Sequence, residues 1–588
     1  MREIGRKIQD KRSHYGVFLI SIVVAGALTT GCAQRMQQGN VEPPKEDPVS
    51  EHIETDDLPR VALTADLLYE ILLGEIALQR GHVDEAARAM TSAAKSSGDY
   101  RLAERASVSA LRAKDYDQAL QAAEMWAELQ PDATQPLETI GRILIAKGRI
   151  EEAEAHLKKL IKRGEPDVGA VYRRIADILT QQGNAEEILG VMDRLVQLHP
   201  NDANAHFSKA YLADRLESPE IVLESLDKAL SIKPDWEDAA LAKFSYFVTK
   251  KDFERAGQFS EKYLKDHPDA SKLRLHYARY LIDQDKREIA LQNFKLLIDD
   301  QPKNADALFA AGLLSVQLDR FADAENYLQR NVDIRPDNDQ ARLYLGQIAA
   351  EQEQYDKAES WYRKITSEAL YFDAQLLLAN VIAKQKGTSD ALEHLEGLHP
   401  RDTEEQVRII LSKEQILRAA KDMTRAKEIL DEGLEQFPDD SDLLYARGLV
   451  AAQLELITLH EQDMRRLLEK DPKNAHALNA LGYTLADQTD RYQEALDLIN
   501  QALKLKPDDP FIMDSMGWVH YRLGNHQLAI EYLERALKKR EDAEISAHLG
   551  EVLWMIGEKT RAEKILKRAL KKAPDNDVLL TTIEKLKQ

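Results

Sequence analysis

Asn474-Ala475-His476-Ala477-Leu478-Asn479-Ala480-Leu481-Gly482-Tyr483-Thr484-Leu485-Ala486-Asp487 is followed, after a short polar link, by Tyr492-Gln493-Glu494-Ala495-Leu496. The stretch reads as two helices of about 12 to 14 residues each. Gly482 and Ala495 mark their crossing, because residues that small let two helix axes approach to roughly 8–10 Å. Prolines bracket the pair at Pro472 and Pro507, where proline ends a helix or opens a link. Moving outward, the same bracket recurs at Pro200, Pro234, Pro268, Pro302 and Pro336, each 34 residues after the last. Pro438 keeps that phase, and Pro507 slips by one residue. Small residues hold it too, with Ala256, Ala290, Ala324, Ala358, Ala426, Ala529 and Ala562 on one helix and Gly312, Gly346, Gly517 and Gly550 on the other. Gly148, Gly183, Gly524 and Gly557 are placed to end the first helix of their units, where a left-handed residue is wanted.

The period and the residues that keep it resemble the tetratricopeptide repeat. HEAT-like units would need a period of about 40–47. The resemblance implies an all-α fold, a tetratricopeptide-repeat right-handed superhelical solenoid of about fifteen helix-turn-helix units from Leu67 to Pro574. No such unit buries its apolar face alone, so neighbours complete one another's core. The register is loose in the first two units and between Tyr371 and Arg401. The expected boundaries are 61–574 for the solenoid and 575–588 for a capping tail, helical by propensity. In such repeats the groove wall comes from first helices. Read on that pattern, Tyr483, Trp518, Tyr521, Arg522 and Trp554 are the candidate partner-binding residues, since aromatic residues and arginine anchor protein recognition. Packing of Trp518 and Trp554 against the adjacent helix is the other reading. Asp514 and Glu551 would add selection for a basic or amine-bearing segment.

At the other end, Arg2, Arg6, Lys7, Lys11 and Arg12 precede an apolar run from Val17 to Leu28, and Cys32 is the only cysteine in 588 residues. The run has about 12 residues where a membrane-spanning helix needs about 20, so residues 1–31 read as a secretory signal. Leu28-Thr29-Thr30-Gly31-Cys32 resembles the lipobox of bacterial lipoproteins, although the leucine stands four places before the cysteine rather than three. The resemblance implies lipid attachment at Cys32, and Ala33 after it implies the outer membrane, facing the periplasm. Residues 32–60 carry Pro43, Pro44, Pro48, Pro59 and seven acidic side chains, the composition of a disordered acidic tether. At about 3.1 Å per residue it would reach up to about 85 Å.

Composition narrows the function. A net charge of −21 argues against nucleic acid as a partner. With Cys32 used for the lipid, neither a disulfide nor a cysteine-based metal site can form. No phosphate-cradling loop, zinc-protease helix or nucleophile elbow is present. The histidines are scattered, with His394 and His399 too far apart in phase to share a helix face. No catalytic, cofactor-binding or metal-ligating residue is therefore expected.

The stretch quoted first, with Asp490-Arg491-Tyr492, Asp514-Ser515-Met516-Gly517-Trp518-Val519 and His548-Leu549-Gly550-Glu551-Val552-Leu553-Trp554, is more specific than repeat consensus. Together these segments resemble a proteobacterial family of outer-membrane tetratricopeptide lipoproteins, the LbcA family. The resemblance implies a non-catalytic adaptor that binds the periplasmic C-terminal processing protease CtpA and presents substrates, among them enzymes that cut peptidoglycan cross-links. The alternative from the same groove is an assembly-factor lipoprotein, pilotin-like or an activator of a peptidoglycan synthase. A hydrolase acting alone on the cell wall has no motif to rest on.

Overall fold

The computed structural model of the chain describes residues 61–163, 167–180 and 184–587. The signal segment, Cys32, the tether and Gly183 lie outside the described residues. Among the described residues there are thirty-one α-helices and no strand. They fall into two compact units, one ending at Arg320 and one beginning at Phe321. The first runs from the helix Ala65–Gln79 to the helix Ala305–Gln317, and the second from Phe321–Ile334 to Asp577–Lys587. Each is an all-α solenoid of helix-turn-helix pairs in which a helix packs on its neighbours in sequence and on the equivalent helix one pair away, as the 34-residue period demands.

The sequence starts its helices with side-chain caps. Asn474 accepts the Ala477 amide at 3.0 Å. Asp509 accepts the amides of Phe511 at 2.9 Å and Ile512 at 3.2 Å. Such oxygens satisfy amides that have no partner within the helix. A carboxylate there also meets the positive end of the helix dipole, so part of the acidic excess is local and structural. At the other end of each pair, Pro268, Pro302, Pro438 and Pro472 stand one residue past the C-cap of a second helix.

The turn within each pair needs a left-handed residue, and the expected glycines among the described residues supply it. Gly148, Gly524 and Gly557 do so at φ 72°, 81° and 92°. Elsewhere Lys114, Lys251, Asp285, Asp319, Glu353, Lys421 and Glu455 take the same conformation at φ between 56° and 62°. An L side chain there costs about 1–2 kcal/mol, and the turn is kept because the flanking helices over-determine it. Lys251→Gly should therefore stabilise its pair by about 0.5–1 kcal/mol, after glycine's larger unfolded-state entropy is subtracted. Slower amide exchange in Phe253–Asp266 would show it; faster exchange would contradict it.

The small residues of the sequence pattern are the crossing points. A Cβ added to Gly517 would lie 2.6 Å from Leu533 Cγ and 3.1 Å from the Ala529 carbonyl. Leu533 and Ala529 are fully buried. The loose stretch has its own cause. The second helices Tyr355–Arg363 and Thr388–Glu396 shrink to nine residues, while the first helices Glu368–Gln385 and Thr403–Ala419 lengthen to 18 and 17. Buried Asp339 accepts the amides of Thr366 at 2.9 Å and Ser367 at 2.6 Å, which fixes the start of the longer helix. Burial alone would raise its pKa, but those amides and Arg342 hold it below the usual carboxylate range.

Candidate functional site

The aromatic residues singled out in the C-terminal sequence converge on one cluster across three successive first helices: Ala475–Gln488, Pro510–Arg522 and Ala543–Met555. Trp518 is only 6 % exposed. Its indole N–H donates to Asp487 Oδ1 at 3.0 Å, and its ring stacks on His548 with centroids 4.4 Å apart. Of the two readings open for Trp518, the structure takes packing against the neighbouring helix. His548 Nδ1 lies 2.9 Å from both carboxylate oxygens of Asp514, and its Nε2 lies 3.4 Å from the Tyr483 hydroxyl.

The rest of the cluster is equally engaged. The half-buried Tyr521 donates its hydroxyl to Glu551 Oε1 at 3.3 Å. The same carboxylate accepts Lys585 Nζ at 2.8 Å from the last helix, Asp577–Lys587. Arg522 donates to the Asp487 carbonyl at 2.7 Å and the Tyr492 hydroxyl at 2.9 Å, and its guanidinium lies 5.1 Å over the Tyr492 ring. Trp554 is half-buried beneath the Lys559 ammonium, 4.8 Å from its ring centre.

Burial, and then the Glu551 carboxylate, push the Tyr521 phenol up to about 12. Burial drives Tyr483 well above the usual phenol range, with Asp487, Asp514, Glu544 and Glu551 adding to it. For His548 burial pulls downward, yet the adjoining Asp514 carboxylate outweighs it and raises the imidazole. What this arrangement does chemically is join hairpins. Asp514 and Glu551, expected to select a basic segment, have their oxygens on His548, Tyr521 and Lys585.

A second set of residues was missed by reading single motifs. Phe207, Leu241, Leu275 and Phe309 recur every 34 residues on the first helices of the first unit, and all four are half-buried. Leu377, Leu411 and Tyr445 do the same in the second unit, beside Leu449 at 37 % exposure. Each unit thus carries an apolar ladder along its first-helix wall that its own core leaves partly uncovered. The signal was present, because Phe309 and Tyr445 stand three residues before Gly312 and Gly448. Among the described residues, no group of His, Cys, Asp and Glu could hold a metal ion, and no helix is long and apolar enough to cross a membrane.

A family model described as tetratricopeptide repeat matches residues 71–134, 139–203, 277–339, 309–371, 461–510 and 515–577. The TPR repeat-containing protein PA4667 of Pseudomonas aeruginosa is 31% identical over 536 residues, which is 90% of this chain and 89% of that protein. The TPR repeat-containing protein MJ1428 of Methanocaldococcus jannaschii is 34% identical over 80 residues, 14% of each chain. Among solved structures, the Cut9–Hcn1 hetero-tetramer of the APC/C matches 83% of this chain and 97% of its own at 17% identity, with a TM-score of 0.28. A tetratricopeptide repeat protein from Parabacteroides merdae matches 42% of this chain and 99% of its own at 18% identity, with a TM-score of 0.34.

Proposed function

The chain belongs to the tetratricopeptide-repeat family, and from that premise we propose that it is a lipid-anchored adaptor at the periplasmic face of the outer membrane. Repeats of this family are scaffolds for protein–protein interaction. In the proposed role the scaffold binds a C-terminal processing protease and delivers cell-wall hydrolases to it. It acts by concentration: two proteins held on one body meet as an intramolecular event. The observation that carries the reading is the apolar ladder, a repeated wall of half-exposed Phe, Leu and Tyr side chains on first helices with no metal cluster among the described residues. The lipobox-like segment that ends at Cys32 supports the placement.

The test is affinity capture of the full chain from detergent-solubilised envelopes. The processing protease should co-purify, and Leu449→Asp with Tyr445→Ala should reduce its recovery by about tenfold, the loss expected when a pair of well-packed anchors is removed. Recovery of a secretin or a peptidoglycan synthase in its place would favour the assembly-factor role instead. Cys32→Ser should move the protein from the membrane fraction to the soluble periplasm. A variant that stays wholly with membranes would end the lipid-anchor reading.

A further inference from the structure

We propose that the Asp514–His548–Trp518 cluster is a pH-sensitive lock on the last hairpins of the second unit, closed while His548 is protonated and loosened when it is neutral. This rests on placement. His548 and Asp514 are each 7 % exposed and sit on adjacent first helices. The ring is held edge-on by both oxygens of the Asp514 carboxylate and face-on by the Trp518 indole. A cation on an aromatic face and opposite a carboxylate is attracted by both. Trp518 in turn ties to Asp487 on the preceding first helix, so one imidazolium braces three helices.

The charged and titratable neighbours leave that role to His548. Tyr483 and Asp487 approach from Ala475–Gln488, Asp514 and Arg522 from Pro510–Arg522, and Glu544 and Glu551 lie on the imidazole's own helix. Lys585 reaches in from the last helix. Arg522 engages Asp487 and Tyr492, and Lys585 engages Glu551. Among the described residues no other cation pairs with Asp514. Loss of the His548 proton therefore leaves a buried carboxylate without its counter-charge, which is the costly half of breaking a buried pair. The four carboxylates around Tyr483 then repel one another with less opposing charge.

The sign follows from the direction of the shift. His548 titrates above its ordinary value of 6.5 in the folded protein. The stabilisation it brings is fully present below that value and is lost as pH rises through the folded one. Each tenfold change in opening frequency corresponds to about one pH unit of separation between the two values.

Hydrogen exchange of the full chain at about pH 6 and about pH 9, corrected for intrinsic exchange chemistry, tests this. Opening in peptides covering Pro510–Arg522 and Ala543–Met555 should become more frequent at the higher pH, by about tenfold for each pH unit that the folded value stands above 6.5. Peptides covering Ala305–Gln317 of the first unit should not follow. In His548→Gln the C-terminal peptides should exchange at the high-pH level at both pH values. If the pH dependence persists in His548→Gln, the lock is refuted. Should that variant fail to fold, the imidazole titration of the unmodified protein decides: a midpoint for His548 at or below about 6.5 refutes the proposal.

Discussion

Alanine in place of Arg447 will cost the second unit about 3–5 kcal/mol. The guanidinium of Arg447 makes a paired contact with Asp463, Nε to Oδ2 at 2.9 Å and a terminal nitrogen to Oδ1 at 2.7 Å. Its other terminal nitrogen donates to Asp431 at 2.9 Å. Asp463 is only 2 % exposed, so truncation of the arginine strands a carboxylate that water cannot reach. Geometry of this kind is a property of arginine, and lysine would not reproduce it. The loss should be local, because a repeat contacts only its neighbours. Amide exchange in Met423–Gln436 and Ile457–Lys470 should rise by two orders of magnitude or more, since about 1.4 kcal/mol is tenfold. The paired change Arg447→Met with Asp463→Leu should restore most of the protection, because it removes the buried charge together with its partner. A mild effect of Arg447→Ala would mean that Asp463 finds another donor.

Gly346→Ala comes next, at about 1–3 kcal/mol, with the valine variant worse. A Cβ at Gly346 falls onto the ring of Tyr362, with Cδ1 at 2.7 Å and Cζ at 2.8 Å. Tyr362 is 1 % exposed and lies on the nine-residue helix Tyr355–Arg363, where a rigid ring in a close-packed site has little room to turn. Gly448 occupies the same place in a later repeat and offers a control. The atom in the way there is the terminal methyl of Met464, the end of a side chain that can swing aside. Gly448→Ala should therefore cost under about 1 kcal/mol. Equal losses at the two glycines, read from denaturant midpoints of the full chain, would show that helix approach rather than the neighbour's stiffness governs the cost.

The repeat itself could be read from one sequence because its markers are single residues with a physical necessity. Gly517 and Ala529 must be small, and Pro268 must lie outside a helix. The C-terminal cluster could not be read that way, since it consists of pairs. Asp514 and His548 are 34 residues apart, as are Glu551 and Lys585, and Asp487 reaches Trp518 over 31. Comparing residues one period apart would have found them; comparing residues one helix turn apart could not. That is why Trp518 reads equally as an anchor or as packing, and why the Asp514–His548 contact is not visible in either segment alone. Arg447 and Asp463 lie 16 residues apart, on the two helices of one hairpin. Their pairing depends on how far around each helix the side chains emerge. The left-handed lysines and acids of the turns were illegible for another reason. Nothing in Lys251 or Asp285 announces a conformation that its neighbours impose.

The spacing of those bonded pairs bears on how the molecule is built in time. Most of the partners that hold the C-terminal cluster lie within 35 residues of one another, and Tyr483 meets His548 over 65. A hairpin can reach its final contacts once the next one or two have been delivered, without waiting for a distant strand of chain. Chains dominated by such near-neighbour contacts fold quickly. A polypeptide handed over from its N-terminus onward can thus assemble progressively, with little apolar surface left bare at the growing end.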